Sequence, residues 1–318
     1  MHPTDFHPDL RAAARWLPRG VVKAWLLPLL RRIPAPSQKL PAGVTVTERP
    51  LDGRGTASLR ILRSTPSDGP PRPAVLWIHG GGYVLGRATT DDARCAHLAK
   101  RLGATVFSVD YRLAPAHPFP TPLDDCLAAY ELLHREAAAL GVDPSRMVIA
   151  GQSAGGGLAA ALVLRAHDRG LPPPAIQILV YPMLDDRTVL RTVDDRLHRL
   201  WNPASNRLGW TSYLGREPGG EGIPDHAAPA RRSDLRGLAP AWIGVGTADL
   251  FLDEDVAYAT RLREAGVPVT LDVVEGAFHG FDAVTPGAPV SRRFFDAQVE
   301  AIERAFATPR SPAERPAC

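Results

Sequence analysis

The sequence predicts an α/β fold: a mainly parallel sheet with helices on both faces. Three observations carry this. From residue 57 onward, short apolar runs alternate with helical stretches. The runs are continuously apolar, as strands buried on both faces are. The chain also has 318 residues with 45% apolar and 22% charged side chains, enough for a globular core and unlike a disordered segment.

Residues 1 to about 40 read as one or two amphipathic helices with Leu10, Trp16, Leu17, Val21, Trp25, Leu26 and Leu29 as the apolar set, broken by Pro18, Pro28 and Pro34. We expect residues 1–45 to cap the main body, with their apolar side packed on it; contact with lipid or with a substrate pocket is the sharper alternative. Expected strands are Ser58–Leu62, Ala74–His79, Thr105–Val109, Met147–Ala150, Ile176–Tyr181, Ala241–Val245 and Val269–Val274. Expected helices are Thr90–Leu102, Thr121–Leu140, Gly156–Arg169, Asp253–Ala265 and Arg292–Phe306. Thr121 followed by Pro122 suggests an N-cap and a proline at the first helical position. Residues 184–235 interrupt the alternation. They are polar, rich in arginine, and too long for an ordinary connection, so we expect a lid inserted into a catalytic domain of residues 46–308. The tail 309–318, with three prolines, is expected to fray.

Composition excludes several classes. The net charge of +3 is too small to mark a nucleic-acid surface, and all but Lys23, Lys39 and Lys100 of the 37 basic residues are arginines scattered among acids. Three cysteines with no CxxC pair give neither a disulfide scaffold nor a cysteine zinc site. No apolar run has the roughly 18–20 residues of a membrane span. Val21–Leu30 loosely mimics a signal peptide but starts late and runs into Arg31 and Arg32, so a cytoplasmic protein without a membrane partner is expected.

The strongest chemical signal is Gly151-Gln152-Ser153-Ala154-Gly155, which follows an apolar strand and opens a Gly/Ala/Leu-rich helix. This is the strand–turn–helix setting in which a strained turn projects a nucleophilic serine from a sheet. The second is His79-Gly80-Gly81-Gly82-Tyr83, also just past a strand. Glycines there can turn N–H groups toward a carbonyl oxygen that gains charge in acyl transfer. Gly81, Gly82 and Ala154 are the expected oxyanion donors, and His79 is expected to shape the loop. A phosphate-cradling loop is disfavoured, since neither GxGxxG in a first βαβ unit nor a Walker lysine is present.

A nucleophilic serine needs a base and an acid that orients it. In α/β-hydrolase architecture these follow in the order Ser, Asp or Glu, His. Of the histidines after Ser153, His167 lies in the elbow's own helix, and His198 and His226 fall in the lid. His279 stands in a loop past Val269–Val274, and Asp249 stands just beyond Ala241–Val245. Asp253, Glu254 and Asp255 are rivals that more naturally serve a helix N-terminus. Ser153, Asp249 and His279 thus form the expected triad.

The sequence also resembles the bacterial hormone-sensitive-lipase-like esterases of the α/β-hydrolase fold. The resemblance rests on His79–Tyr83, Asp110–Pro120, the elbow extended to Gly156, Tyr181-Pro182, Asp249–Glu254 and His279-Gly280-Phe281. It implies a serine carboxylesterase for short- to medium-chain esters, with the same three triad residues and an N-terminal cap. One departure is Gln152, where these esterases often carry Asp. The expected partner is a small-molecule ester, with no metal or organic cofactor and with a homodimer left open. Tyr83, Trp201, Trp210 and Tyr213 are candidate pocket residues. Asp110–Pro120 is expected to pack beneath the oxyanion loop. An amidase or peptidase, a lipase, and a non-catalytic binding protein on the same fold are the open alternatives.

Overall fold

The computed structural model describes residues 6–20, 22–33, 40–64 and 69–307. Val21, Pro34 and the tail 309–318 lie outside the described residues. In chain order the helices are α1 (Arg11–Trp16), α2 (Leu27–Leu30), α3 (Asp92–Leu102), α4 (Thr121–Arg135), α5 (Ala137–Leu140), α6 (Ala154–Asp168), α7 (Pro203–Leu214), α8 (Leu252–Glu264), α9 (Phe281–Val284) and α10 (Pro289–Ala307). The strands are β1 (Thr45–Pro50), β2 (Ser58–Arg63), β3 (Arg72–Ile78), β4 (Thr105–Asp110), β5 (Val142–Gln152), β6 (Ile176–Val180), β7 (Ala241–Ala248) and β8 (Val269–Phe278).

The strands form one eight-stranded sheet in the order β1-β2-β4-β3-β5-β6-β7-β8. β2 is antiparallel to both its neighbours, and the six strands from β4 to β8 run parallel. All seven expected strands are present. β1 was not expected: its sequence TVTERP is mostly polar, its side chains are mostly exposed, and it ends on a proline. An edge strand tolerates all three.

The continuous apolar runs are explained by burial on both faces. Leu76, Ile78, Phe107 and Ile149 face the layer that holds α4 and α6, while Val75, Trp77, Val106 and Val148 face the layer of α3 and α10. The expected helix 121–140 divides at Glu136 into α4 and α5. Thr121 is not its N-cap. Pro120 holds that position, Thr121 is already helical, and no side chain caps the end.

Residues 184–235 join β6 to β7 and contain α7, which sequence patterning did not reveal. Its interior carries Asn, Ser and Gly, all weak helix formers. Its start is nevertheless well made: Asn202 Oδ1 accepts from Ser205 N at 2.9 Å, and Pro203 sits in the first turn. Among the described residues no helix is long and apolar enough to cross a membrane.

Candidate active site

β5 delivers Ser153 at the end of a buried strand, and α6 begins at the next residue. Ser153 has φ 55° and ψ −122°, a strained backbone for a residue with a Cβ. It is held by its own N–H donating to Val180 O at 2.8 Å, and by its carbonyl accepting from Met183 N and Gly157 N, both at 3.0 Å. The turn closes only because its flanks are glycine. A Cβ at Gly155 would fall 2.1 Å from Ile78 O, and one at Gly151 would fall 2.3 Å from Gly155 O.

Strand register then assembles the rest. Ile78 pairs with Gly151 across β3 and β5, so the Gly80–Gly82 loop leaves the sheet beside the serine. Ala248 pairs with Phe278 across β7 and β8, so Asp249 and His279 emerge side by side. His279 Nε2 is 2.9 Å from Ser153 Oγ, and Nδ1 is 2.8 Å from Asp249 Oδ2. The other Asp249 oxygen accepts from Phe251 N at 3.0 Å, which fixes the carboxylate plane. All three side chains are buried. The two loops interlock, since a Cβ at Gly246 would lie 2.0 Å from Ala277 O, and Thr247 Oγ1 accepts from Gly276 N at 2.8 Å. The three residues expected from chain order are thus brought into one hydrogen-bonded line.

Gly81 and Gly82 have φ 116° and 60°, so this loop needs glycine. Gly81 O accepts from Val84 N and Leu85 N, which tightens the turn. Their own N–H groups and that of Ala154 have no acceptor among the described residues. His79 stands under the loop as a spacer. Its ring stacks on Tyr111 at 4.2 Å between centroids, and burial pushes its basicity down.

The Asp110–Pro120 segment does lie beneath this loop. Tyr111 donates from its hydroxyl to His79 O at 3.0 Å, Ala114 N donates to Tyr83 O at 3.0 Å, and Arg112 clamps Asp125 in a two-pronged pair at 2.9 and 2.6 Å.

The four candidate pocket residues are all buried but not equivalent. Trp201 covers the site: a Cβ on Gly82 would lie 2.0 Å from its ring, whose centroid is 6.4 Å from that of His279. Tyr83, Trp210 and Tyr213 form a cluster behind it, with Tyr83 stacked on Tyr213 at 4.0 Å and 5.4 Å from Trp210. Sequence reasoning passed over Phe251 and Tyr181, whose rings meet the His279 imidazole edge-on at 5.2 and 4.8 Å. The sequence signal for both is membership of Asp249–Glu254 and Tyr181-Pro182, two of the segments that carry the family resemblance. It also set His198 aside. His198 is buried, and burial lowers its basicity while the Asp249 carboxylate pulls the other way.

Two of the three acidic rivals are engaged elsewhere. Asp253 pairs with Arg191, and Glu254 accepts from Leu184 N and Asp185 N at 2.7 and 3.1 Å rather than from its own helix end. Asp255 is fully buried and within reach of the Asp249 charge, but neither of its carboxylate oxygens has a hydrogen-bond partner among the described residues, so it does not hold His279. A cavity of about 530 Å³ opens at the opposite, amino-terminal end of β6, β7 and β8 and touches none of the triad residues.

A family model described as the α/β hydrolase fold matches residues 75–283. Esterase LipI of Mycobacterium tuberculosis is 34% identical over 249 residues, covering 77% of this chain and 78% of that one. Carboxylesterase NlhH of the same organism is 34% identical over 284 residues, covering 87% and 88%. The solved structure titled Bacterial Heroin Esterase superposes with a TM-score of 0.84 at 37% identity, covering 96% of this chain and 99% of that one.

Proposed function

This chain belongs to the α/β-hydrolase family and is a carboxylic ester hydrolase, and we propose that it cleaves short- to medium-chain esters through Ser153, His279 and Asp249. The observation that carries the reading is the continuous line from Ser153 Oγ to His279 at 2.9 Å and on to Asp249 at 2.8 Å.

In the first step Ser153 Oγ attacks the ester carbonyl and its proton passes to His279 Nε2. The carbonyl oxygen gains a full negative charge. The N–H groups of Gly81, Gly82 and Ala154 receive it, with the N-terminal end of α6 aimed at the same point. Asp249 keeps the proton on Nδ1 and steadies the imidazolium. The tetrahedral adduct then collapses, the C–O bond breaks, and His279 returns its proton to the departing alcohol. Water repeats the sequence on the acyl-enzyme and releases the acid.

Residues 184–235 serve as the lid and the N-terminal segment as a cap. Support comes from Trp201 pressed on Gly82, and from Ala14 O and Pro18 O accepting from Arg199 and Leu200 just before it. The aromatic wall of Tyr83, Trp210 and Tyr213 behind Trp201 favours short acyl chains over long ones.

A fluorophosphonate probe tests the assignment. It should add covalently to Ser153 in the wild type and not to Ser153→Ala, which should also lose turnover of p-nitrophenyl butyrate while keeping its circular-dichroism spectrum. Labelling at another residue, or turnover retained in the alanine variant, rejects it.

A further inference from the structure

Four of the seven large apolar side chains exposed among the described residues lie in one short stretch: Trp16 at 87%, Trp25 at 74%, Leu29 at 59% and Ile33 at 56%. Trp25 and Leu29 are four residues apart, hence on one side of the helical turn, opposite Leu27, which is only 7% exposed. The segment therefore packs one side and presents the other.

Its inner side is fastened to the loops of the active site. His7 N donates to Gly276 O at 2.9 Å, three residues before His279. Leu200 N donates to Pro18 O at 2.8 Å, beside Trp201. Arg31 Nε donates to Val84 O at 2.9 Å, two residues past Gly82. The outer side thus has a fixed orientation on a folded body.

The charge of this face selects its partner. Of the basic residues between 6 and 33, Arg15, Lys23 and Arg32 stay on the exposed side, whereas Arg31 turns inward to Val84 O, Arg11 bonds Phe6 O and Arg19 lies 3.9 Å from Asp195; the single acid of the stretch is Asp9. The Asp9 carboxylate is itself taken by Val290 N at 3.0 Å. A symmetric contact with a second copy would set this excess of cations against itself. A nucleic acid would answer the cations but leave the indoles and Leu29 in water. Exposed tryptophan and aliphatic side chains flanked by Arg and Lys suit the headgroup region of an anionic bilayer, where rings lie at the interface and cations meet lipid phosphate.

We propose that the outer face formed by Trp16, Trp25, Leu29 and Ile33, flanked by Arg15, Lys23 and Arg32, docks peripherally on anionic lipid. This revises the expectation of a chain without a membrane partner. It does not depend on the assignment of the triad, because the readout is binding.

The experiment is co-sedimentation of the full chain with vesicles of phosphatidylcholine alone, or of phosphatidylcholine mixed with phosphatidylglycerol, with indole fluorescence followed in parallel. We expect roughly tenfold stronger partitioning onto the anionic vesicles, lost in high salt, with a blue shift of the tryptophan emission. Trp16→Ser/Trp25→Ser should abolish both signals, and Arg15→Gln/Lys23→Gln/Arg32→Gln should reduce binding to the level seen on neutral lipid. Both variants should hydrolyse soluble p-nitrophenyl acetate at the wild-type rate, which shows that they fold. Wild type that stays in solution with both vesicle types overturns the proposal. So does a dimer in light scattering that only the tryptophan variant dissolves, which would assign the face to a second copy.

Discussion

The Gln152 carboxamide donates from Nε2 to both carboxylate oxygens of Asp91, at 3.0 and 3.1 Å. Trp77 Nε1 donates a third hydrogen bond, to Oδ2, at 2.8 Å. The Asp91 carboxyl is buried, and burial pushes it above the usual carboxylate range. On its other side Gln152 Oε1 lies 3.4 Å from the Tyr181 hydroxyl, which donates to Asp282 at 2.7 Å while its ring supports the His279 imidazole. The residue before Ser153 therefore ties the elbow to a buried polar chain that ends beneath the His279 ring.

Gln152→Asp would place a second carboxylate against Asp91 in this dry setting. One of the two must then keep a proton or separate. A carboxyl raised in the folded state contributes stability below its unfolded pKa and loses it as pH rises through the folded value. We expect the thermal midpoint of the variant to match wild type near pH 5 and to fall several degrees below it near pH 8. Adding Asp91→Asn should restore it. Differential scanning calorimetry at the two pH values decides, and parallel curves would refute the coupling.

Gly82 and Gly103 separate backbone strain from crowding at the oxyanion loop. Both have positive φ, 60° and 58°. A Cβ at Gly103 meets nothing within 4 Å, whereas one at Gly82 falls 2.0 Å from the Trp201 ring. Gly103→Ala should cost about 1 kcal/mol of stability with kcat unchanged. Gly82→Ala should displace Trp201 or the loop and lower kcat roughly 10²–10³-fold, the loss of one oxyanion donor. Steady-state kinetics beside melting curves read both, and equal kcat in the two variants would remove Gly82 from the oxyanion site.

What the chain discloses follows from where each signal is stored. The central strands are legible because burial on both faces forces unbroken apolar runs such as Val75–Ile78 and Met147–Ala150. The elbow is legible because its turn admits only small residues around Ser153, and Asp249 and His279 because the fold demands them in that order past strand ends. β1 and α7 stay hidden for the opposite reason: an exposed edge strand and a helix with Asn, Ser and Gly inside depend on tertiary contacts rather than local preference. The Asp91–Gln152 pair joins residues sixty-one apart in sequence with no local pattern to announce it. Trp201 reads in the sequence only as one more aromatic of the 184–235 segment, because its seat on Gly82 is a tertiary contact with no local pattern.

Asp249 holds the imidazole by one oxygen and is itself held by Phe251 N through the other. Asp249→Asn keeps the shape but removes the charge and lets the amide donate to Nδ1, which favours the wrong tautomer. We expect kcat for p-nitrophenyl butyrate to drop by about 10³–10⁴ with an unchanged melting curve near neutral pH. A loss below tenfold would move the orienting role to another acid.

Glu254 ties α8 to the start of the 184–235 segment. It accepts from Leu184 N and Asp185 N through Oε1, while Oε2 meets the Thr188 hydroxyl. Burial raises its pKa to about 8 despite those hydrogen bonds. An unfolded glutamate titrates near 4.3, so between roughly pH 4.5 and pH 8 the folded chain binds more protons than the unfolded one. Unfolding free energy should therefore fall as pH rises across that window. Glu254→Gln is a neutral isostere. Its carbonyl oxygen can still accept from both backbone N–H groups, and its amide can donate to Thr188 as the protonated acid would. The variant should show a shallower decline, leaving the part due to Asp255, which burial also raises. Urea midpoints near pH 5 and pH 8 measure the difference. Identical slopes for the two proteins would mean that Glu254 is ionised in the folded state throughout.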